Sequence, residues 1–521
     1  MARIEDLPDE VLLPRYSLAL QQASGYGTQR STMQYGNNLF ALSGRMATWT
    51  KKCPTSQTTK PISDIVKLGH KVLDALETPF TEFDDPEHHM TSNYFRVTAG
   101  GKIYRDTAAC IFRRLARDGH DAERTDLFTL GIVAFCGFRG SDPFTVLRQL
   151  DTMAQRFATD MRRQHVNGDE PSTQTIIEQA LAHMRHIGLR PAHPTHYHDI
   201  NNLNERTHGF DIKAVPIGFP GTMLAAVSRR DERDQSQWVY VNVYKFKTVS
   251  RTDMDNMLRR QSLTPRPQFF EPLSSVNCCR RVADNIFLSI RVNEVGHSDL
   301  RSVISEAILA GAYCQILLAD TPEPIERYTN ILTTLVQEAD FTTDVDFVEQ
   351  ELSPRLSTEH RERVQEIVQS IRQDDEGVNL IPKRRDPIKV YWPLGHVFRH
   401  RLFGYDAVIR GWDETCQATE HWIQAMQVDR LPLGRHQPFY HVFTSAGSTR
   451  YVAQENVTDY EVPETTHLDI ALVPGIGRFF RKRLFKDRRW GFAKSVELCA
   501  QYPEDDDELG LDDANGSANA L

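Results

Sequence analysis

The spacing of apolar residues changes along this chain, and that change constrains the fold more than any other feature. From about residue 62 to residue 372, apolar residues recur mostly three or four positions apart, which is typical of helices that bury one face. From residue 389 to residue 457 they fall in short runs separated by turns, which is typical of strands. The pattern predicts an α+β multidomain protein, mainly helical in its N-terminal and middle regions, with a small C-terminal sheet.

Helical spacing is clearest in the stretches 65–76, 176–184, 300–308 and 364–371. A strand-rich interval interrupts it between residues 210 and 250, where the run Trp238 to Val243 follows the turn residues Gly218 to Gly221. We therefore expect a small sheet within the helical middle region.

The C-terminal strands carry a hairpin signal. The runs 440–444 and 449–452 are rich in aromatic and β-branched residues, and they flank Ser445 to Ser448, which include a glycine where the turn needs one. Several short strands leave exposed edges unless the sheet closes. We therefore predict a small SH3-like β-barrel over residues 389–460.

Size and composition indicate a soluble globular protein of about three domains. The chain has 521 residues, of which 40% are hydrophobic and 25% charged. Its net charge of −9 predicts no general attraction to nucleic acid or to anionic membranes. Eight cysteines form no CxxC pair, so reduced thiols are expected. Charges in the first twenty residues and the lack of a long apolar run predict an intracellular protein, in cytoplasm, nucleus or both, with no membrane partner.

Charge is concentrated near the C-terminal end. Residues Arg478 to Lys494 hold eight basic residues and one acid, interleaved with aromatic residues, and residues 504–508 read EDDDE. The basic stretch suits phosphate contacts, but it equally suits an amphipathic segment that packs on the barrel and is offset by the acidic block. The predicted boundaries are 1–50 for an N-terminal segment and loop, 62–372 for the helical region, 373–388 for a linker, 389–460 for the barrel, 461–500 for a basic and aromatic extension, and 501–521 for an acidic disordered tail.

The strings GHVFRHRLFGYDAVIRGWD, EHWIQAMQVDRLPLGRHQPFYHVF and GSTRYVAQENV, between residues 395 and 457, resemble the YccV or HspQ-like domain, a family named for binding hemimethylated DNA. In eukaryotes this domain typically ends F-box proteins that have a SirB-type, transglutaminase-like middle region. The strings VPIGFPGTMLAAV, WVYVNVYKF and FFEPLSSVNCCRRVADNIFLSI resemble that middle region and occur in its order. The opening IEDLPDEVLLP resembles the start of an F-box.

The resemblance implies a non-enzymatic F-box-like recognition protein without a cofactor. Leu7, Pro8, Val11 and Leu12 would contact a Skp-type adaptor, and the barrel would bind an unknown protein target for a cullin-type ubiquitin ligase. The candidate residues for target or DNA binding are arginines and aromatic residues of the C-terminal region. They are Arg399, Arg401, Tyr405, Arg410, Trp412, Trp422, Arg430, Arg435, Arg450, Tyr451, Arg481, Arg483 and Arg488.

Two other functions are open from the sequence. DNA binding through the barrel is one alternative, although residues 389–457 hold seven basic against six acidic residues, which makes a weak electrostatic anchor. A transglutaminase-like cysteine hydrolase is the other. Its chemistry would draw on Cys136, Cys278, His193, His196, His198 and Asp199. The His of the related family after the FPG turn is Thr222 here, and the three histidines lack a metal-site spacing, so structural cysteines and no metal are expected.

Overall fold

The structure is a computed structural model, and it describes most of the chain from residue 89 to residue 503. The described ranges are 89–121, 125–164, 172–186, 212–229, 232, 234–242, 245–293, 301–338, 344–375, 382–386, 388–444, 449–458, 475–486 and 489–503. The predicted N-terminal segment 1–50 and the acidic block 504–508 lie outside these residues.

Helices dominate the part before residue 376. They are α1 (His89–Asp118), α2 (Thr125–Ala134), α3 (Pro143–Gln164), α4 (Thr173–His186), α5 (Arg251–Arg260), α6 (Ser275–Asn293), α7 (Arg301–Leu317), α8 (Pro322–Glu338), α9 (Val345–Phe347) and α10 (Thr358–Asp375). The main core, shared by α1, α2, α6, α7, α8 and α10, includes Phe112, Leu127, Tyr313 and Leu332, all fully buried. The helical spacing predicted at 176–184, 300–308 and 364–371 is confirmed, since these stretches correspond to α4, α7 and α10. The predicted stretch 65–76 lies outside the described residues.

Four short strands lie within this helical part and form an antiparallel sheet in sequence order. They are β1 (Ile212–Ile217), β2 (Leu224–Arg229), β3 (Val239–Asn242) and β4 (Lys247–Val249). Ser250 follows β4 and is the N-cap of α5. Its hydroxyl accepts a hydrogen bond of 3.1 Å from the Asp253 N–H. The strand-rich interval predicted between residues 210 and 250 is therefore present.

The C-terminal part contains a five-stranded antiparallel sheet in the order β8-β7-β6-β5-β9. Its elements are β5 (Val397–His400), β6 (Asp406–Asp413), α11 (Glu420–Ala425), β7 (Phe439–Thr444), β8 (Thr449–Ala453) and β9 (Val457–Thr458). The α+β class is thus confirmed, but the predicted closed barrel is not found: within the described strands, the outer strands β8 and β9 do not pair with each other. The turn Gln454–Asn456 separates them, and β9 has only two residues with which to extend the ladder.

The segment predicted as a basic and aromatic extension shares the core of this sheet. It forms α12 (Ile476–Phe479), the hairpin β10 (Phe480–Lys486) and β11 (Arg489–Lys494), and α13 (Val496–Gln501). Phe480, Phe492 and Tyr502 are buried with Phe398 and Val408 of the sheet. The Phe492 N–H donates to the Gly395 carbonyl oxygen at 3.0 Å, which joins this hairpin to the segment that leads into β5. Phe480, Phe492 and Tyr502 therefore form part of the hydrophobic core.

Candidate recognition surface of the C-terminal sheet

The turn between β5 and β6, residues 401–405, projects two large apolar side chains into water. Leu402 is 66% exposed and Phe403 is 70% exposed. Gly404 follows them with φ +67°, a left-handed conformation that favours glycine and lets the chain reverse. We call this segment the hairpin tip. Two adjacent exposed apolar side chains on an ordered turn make the hairpin tip a candidate contact site.

Hydrogen bonds hold the hairpin tip in one conformation. The buried His400 accepts the N–H groups of Leu402 and Phe403 at its Nδ1, at 3.2 and 3.3 Å. The Gly404 N–H donates to the His400 carbonyl oxygen, and the Arg401 N–H donates to the Asn456 carbonyl oxygen, both at 2.8 Å. The apolar side chains therefore stand on a backbone that is already ordered, which lowers the entropic cost of binding.

Stacked side chains support the tip from behind. The Phe403 and Tyr405 rings are nearly parallel, with centroids 6.5 Å apart, and each also contacts the His400 ring. The Arg450 guanidinium lies 4.6 Å from the Tyr405 ring centroid. Burial, together with the charge of Arg450, lowers the pKa of His400 to about 4. His400 is therefore neutral at pH 7, as its role as an acceptor at Nδ1 requires.

Four of the predicted binding residues lie at this end of the sheet. They are Arg399, Arg401, Tyr405 and Arg450. Arg399 is paired with Asp406 across the strands at 2.8 Å. Arg401 and Arg450 are exposed, and among the residues that the structure describes neither has a carboxylate partner. Two positive charges therefore flank the apolar tip.

The predicted arginines at the other end of the sheet are largely engaged within the chain. Arg435 bridges Glu420 at 3.0 Å and Asp429 at 2.5 Å. These carboxylates raise the pKa of Arg435, and they offset its charge toward any phosphate. Arg430 donates to the Gln427 side chain at 2.9 Å.

The predicted aromatic residues at that end contribute to packing. Trp412 is 3% exposed and lies against the Tyr502 ring, so the structure places it in the core rather than on a surface where a base could stack. Trp422 and Tyr451 are half-buried with ring centroids 5.7 Å apart. The Tyr451 hydroxyl donates to Asp413 at 2.7 Å. A small sheet needs large side chains to fill its interior, and these rings meet that need.

Asp413 anchors the segment that precedes the sheet. Its carboxylate accepts hydrogen bonds from Lys383 at 2.8 Å and from Tyr451, and His441 lies 3.0 Å away. Burial opposes ionisation, but the hydrogen bonds from His441, Lys383 and Tyr451 outweigh it and hold the pKa of Asp413 well below its usual range. Part of the predicted linker, at Lys383, is therefore fixed to the end of β6.

The remaining predicted arginines lie along the middle of the sheet and on the β10–β11 hairpin. The Arg410 guanidinium is 5.2 Å from the Phe443 ring centroid and 4.9 Å from that of Phe479. Arg481 is half-buried, and Arg483 is exposed above the Trp490 ring at 5.9 Å. Arg488 lies outside the described residues, as do the predicted adaptor contacts Leu7, Pro8, Val11 and Leu12.

Sequence reasoning missed the two residues that define the surface. The predicted binding residues are arginines and aromatic residues, whereas Leu402 and Phe403 stand out because they are apolar residues at the turn of a hairpin. The string HRLFGYD held the signal, since two large apolar residues directly before a turn glycine have no strand face to bury them.

Three buried cysteines of the middle region are poorly suited to nucleophilic chemistry. Burial raises the pKa of Cys278 to about 12, and it raises the pKa of Cys279 and Cys314 strongly as well. Cys136 is half-buried, whereas His193, His196, His198 and Asp199 lie outside the described residues. In the described part of the chain, no group of three or more His, Cys, Asp or Glu residues is placed to hold a metal ion.

Thr222, which stands where the related family has a histidine, lies in the turn between β1 and β2. Arg281 of α6 donates to the carbonyl oxygens of Phe219 at 2.8 Å and Thr222 at 3.1 Å. These bonds fix the turn against the helical core. The position serves packing of the sheet on α6.

Comparison with known proteins identifies the C-terminal region. Residues 390–485 match the family model described as hemimethylated DNA-binding protein YccV like. The chain is 38% identical over 146 residues to F-box only protein 21 of mouse, Sumatran orangutan and human. That similarity covers 27% of this chain and 22% of the relatives, so the chain matches under a quarter of their length. No solved structure matches the chain. No helix in the described ranges has the length and apolar character to span a membrane.

Proposed function

We propose that this chain is a non-enzymatic recognition protein of the F-box type, whose YccV-like region binds a protein target at the hairpin tip. Through Leu7, Pro8, Val11 and Leu12 it would contact a Skp-type adaptor and so deliver the target to a cullin-type ubiquitin ligase. The similarity to F-box only protein 21, an F-box protein by name, supports this proposal. The setting would be the cytoplasm, the nucleus or both.

The observation that carries the proposal is the exposure of Leu402 and Phe403 on an ordered turn. Burying each of these side chains in a partner contributes about 1.5 to 3 kcal/mol. A few residues commonly provide most of the affinity of a protein interface, and side chains on a turn that is ordered before binding lose less entropy. The nearly neutral charge of residues 389–457 favours a protein target over a polyanion.

Target binding can be tested with the double substitution Leu402→Ser and Phe403→Ser in the full chain. The variant is purified from cells in which the proteasome is inhibited, and co-purifying proteins are quantified by mass spectrometry. Leu433→Ser is the matched control, because Leu433 is 58% exposed at a different turn. We expect the double variant to lose proteins that the wild type and the control retain; equal recovery with all three would contradict a role for the tip.

The adaptor contact needs a separate test. Leu7→Asp and Leu12→Asp together should abolish co-purification of a Skp-type adaptor, because a carboxylate in an apolar interface is costly to desolvate. An adaptor that stays bound to this variant would rule out the proposed adaptor contact. That result would not bear on the proposed role of the hairpin tip.

DNA binding is the second candidate, favoured by the description of the family model that residues 390–485 match. Arg481, Arg483 and Arg489 of the β10–β11 hairpin would contact phosphates. Electrophoretic shifts with hemimethylated and unmethylated duplexes, across a salt series, would test this. Binding that weakens with salt and with Arg483→Ala would support DNA recognition. Absence of a shift at low salt would exclude it.

The state of the thiols supports the non-enzymatic part of the proposal. At a pKa of about 12, the Cys278 thiol is almost entirely protonated at pH 7, and the thiolate is the nucleophile. We expect an iodoacetamide probe to label the exposed Cys499 in the native protein, and Cys278 only after denaturation. Selective labelling of Cys278 or Cys136 at neutral pH would support the hydrolase alternative instead.

A further inference from the structure

The side chains of the hairpin tip define the kind of segment that could bind there. Leu402 and Phe403 call for apolar side chains, and Arg401 and Arg450 beside them call for negative charge. Among the described residues no carboxylate pairs with either arginine. A segment that fits this surface therefore contains leucine-like apolar residues close to acidic residues.

The same chain contains such a segment. Residues 504–513 read EDDDELGLDD, with seven acidic residues, no basic residue, and the two leucines Leu509 and Leu511. The acidic residues provide carboxylates that can pair with Arg401 and Arg450, and the leucines provide apolar side chains that can contact Leu402 and Phe403. Both kinds of side chain occur within ten residues.

The point at which this segment leaves the described structure allows it to reach the tip. Tyr502 is buried against Trp412, and the backbone N–H of Trp412 donates to the Tyr502 hydroxyl at 3.4 Å. Strand β6 runs from Trp412 back to Asp406 beside the tip, a distance of about 20 Å at ~3.3 Å per residue. Leu509 and Leu511 lie six and eight positions beyond Pro503, which spans about 20 and 27 Å of extended chain.

We propose that residues 504–513 cover the hairpin tip, with Leu509 and Leu511 against Leu402 and Phe403 and the acids beside Arg401 and Arg450. The contact lies within one chain and does not rest on the proposed function. Where the tip also binds a target, the segment competes for the same surface, and a target must displace it.

The β10–β11 hairpin is the competing location, since it is the more basic surface. It offers less apolar surface, because Phe485 and Trp490 are half-buried and already pack on each other with ring centroids 4.8 Å apart. Charge alone would favour this hairpin, whereas charge and apolar contact together favour the tip. The two locations predict different sensitivities to substitution.

Photo-crosslinking tests the contact directly. The full chain is produced with the photoreactive residue p-benzoyl-phenylalanine in place of Phe403, irradiated at low concentration, and digested for mass spectrometry. We expect a crosslink within the monomer to a peptide that contains residues 504–513. Absence of this crosslink, crosslinks to other segments only, or a crosslinked dimer would overturn the proposal.

A peptide titration locates the binding surface. The full chain carrying Leu509→Ser and Leu511→Ser, which frees the tip, is titrated with a fluorescein-labelled peptide of residues 504–513 and followed by anisotropy. Added Phe403→Ser should weaken binding about tenfold, since it removes buried apolar area. Added Arg401→Glu with Arg450→Glu should weaken it roughly fivefold or more, and added salt should weaken it further.

The controls are Leu433→Ser and Arg483→Glu, which should each leave the affinity unchanged. Circular dichroism of every variant confirms that the fold persists. Loss of binding with Arg483→Glu, but not with Arg401→Glu and Arg450→Glu, would place the segment on the β10–β11 hairpin and overturn the proposal. No target, adaptor or DNA is present in these assays, so their failure is distinct from failure of the proposed function.

Discussion

Gly477 lies directly against the carbonyl oxygen of Met90: a Cβ added at Gly477 would stand 2.1 Å from that oxygen and 2.6 Å from the Tyr94 Cβ. Met90 and Tyr94 belong to α1, the first of the described helices, whereas Gly477 lies in α12, the short helix that precedes the β10–β11 hairpin. Met90 is buried in the core of that sheet. The helical part and the C-terminal part are therefore joined where only a glycine fits.

Gly477→Ala should destabilise the protein by about 2 kcal/mol or more, because backbone atoms cannot move aside as a flexible side chain can. Chemical denaturation followed by tryptophan fluorescence would measure the change. Gly434→Ala is the control: no atom lies within 4 Å of its added Cβ, and only the strain of φ +54°, roughly 1 kcal/mol, is expected. An equal effect of the two substitutions would contradict the close contact between Gly477 and the Met90 carbonyl oxygen.

His400 should make the hairpin tip sensitive to mild acid. Its pKa is about 4 in the folded protein, against an ordinary value near 6.5, so the unfolded chain binds more protons between these values. Stability is thus fully present above pH ~6.5 and falls by about 2 to 3 kcal/mol as the pH drops to 4. Protonation also removes the acceptor for the Leu402 and Phe403 N–H groups.

Nuclear magnetic resonance of the Phe403 amide, together with urea unfolding at pH 7 and pH 4.5, would test this. His400→Gln should remove most of the pH dependence in that range, since glutamine does not titrate. His421→Gln, at an exposed position outside the hairpin tip, is the matched control and should retain it. A His400 that titrates near pH 6.5 would disprove the buried, neutral state.

Asp413 should contribute stability that is lost only in stronger acid. Its pKa is held below the ordinary value, so the contribution is present above the unfolded-state pKa near 3.9 and declines as the pH falls below it. Asp413→Asn should cost about 1 to 3 kcal/mol at pH 7, because Lys383 loses its charged partner. Its acid-unfolding curve should be flatter than that of the wild type below pH 4. Parallel curves for the two proteins would contradict the assignment.

The helical part should depend on one buried ion pair. Arg105 contacts Asp344 at 2.8 Å, and Tyr313 donates to the same carboxylate at 2.5 Å, with Asp344 fully buried. Asp344→Asn should destabilise the protein by about 3 to 5 kcal/mol, because it removes the buried carboxylate that balances the Arg105 charge. Arg117→Ala, which removes an exposed pair with Asp118, should cost under about 1 kcal/mol. Thermal unfolding of both variants is the measurement.

Local pattern in the sequence was enough for most of the helices and strands. The helical spacing predicted for 176–184 and 364–371 corresponds to α4 at Thr173–His186 and α10 at Thr358–Asp375. The predicted runs 440–444 and 449–452 correspond to β7 at Phe439–Thr444 and β8 at Thr449–Ala453. These elements follow from period and turn chemistry, which depend on residues close in the chain.

The binding potential of individual side chains could not be predicted in the same way. Arg435 and Arg450 are equivalent as residue types, yet one is neutralised by Glu420 and Asp429 and the other is not. Trp412 was predicted to bind, but Tyr502, ninety residues further along the chain, packs on it in the core. Exposure and pairing depend on distant segments, so no local pattern encodes them.

The sequence by itself determined the α+β class, the position of most elements and the YccV-like character of the region predicted at residues 389–460, because each rests on local order and composition. Only the tertiary structure decided that the sheet stays open, that the β10–β11 hairpin belongs to its core, and that Leu402 and Phe403 stand exposed. The physical reason is that burial and charge pairing are properties of surfaces that meet only after the chain has folded.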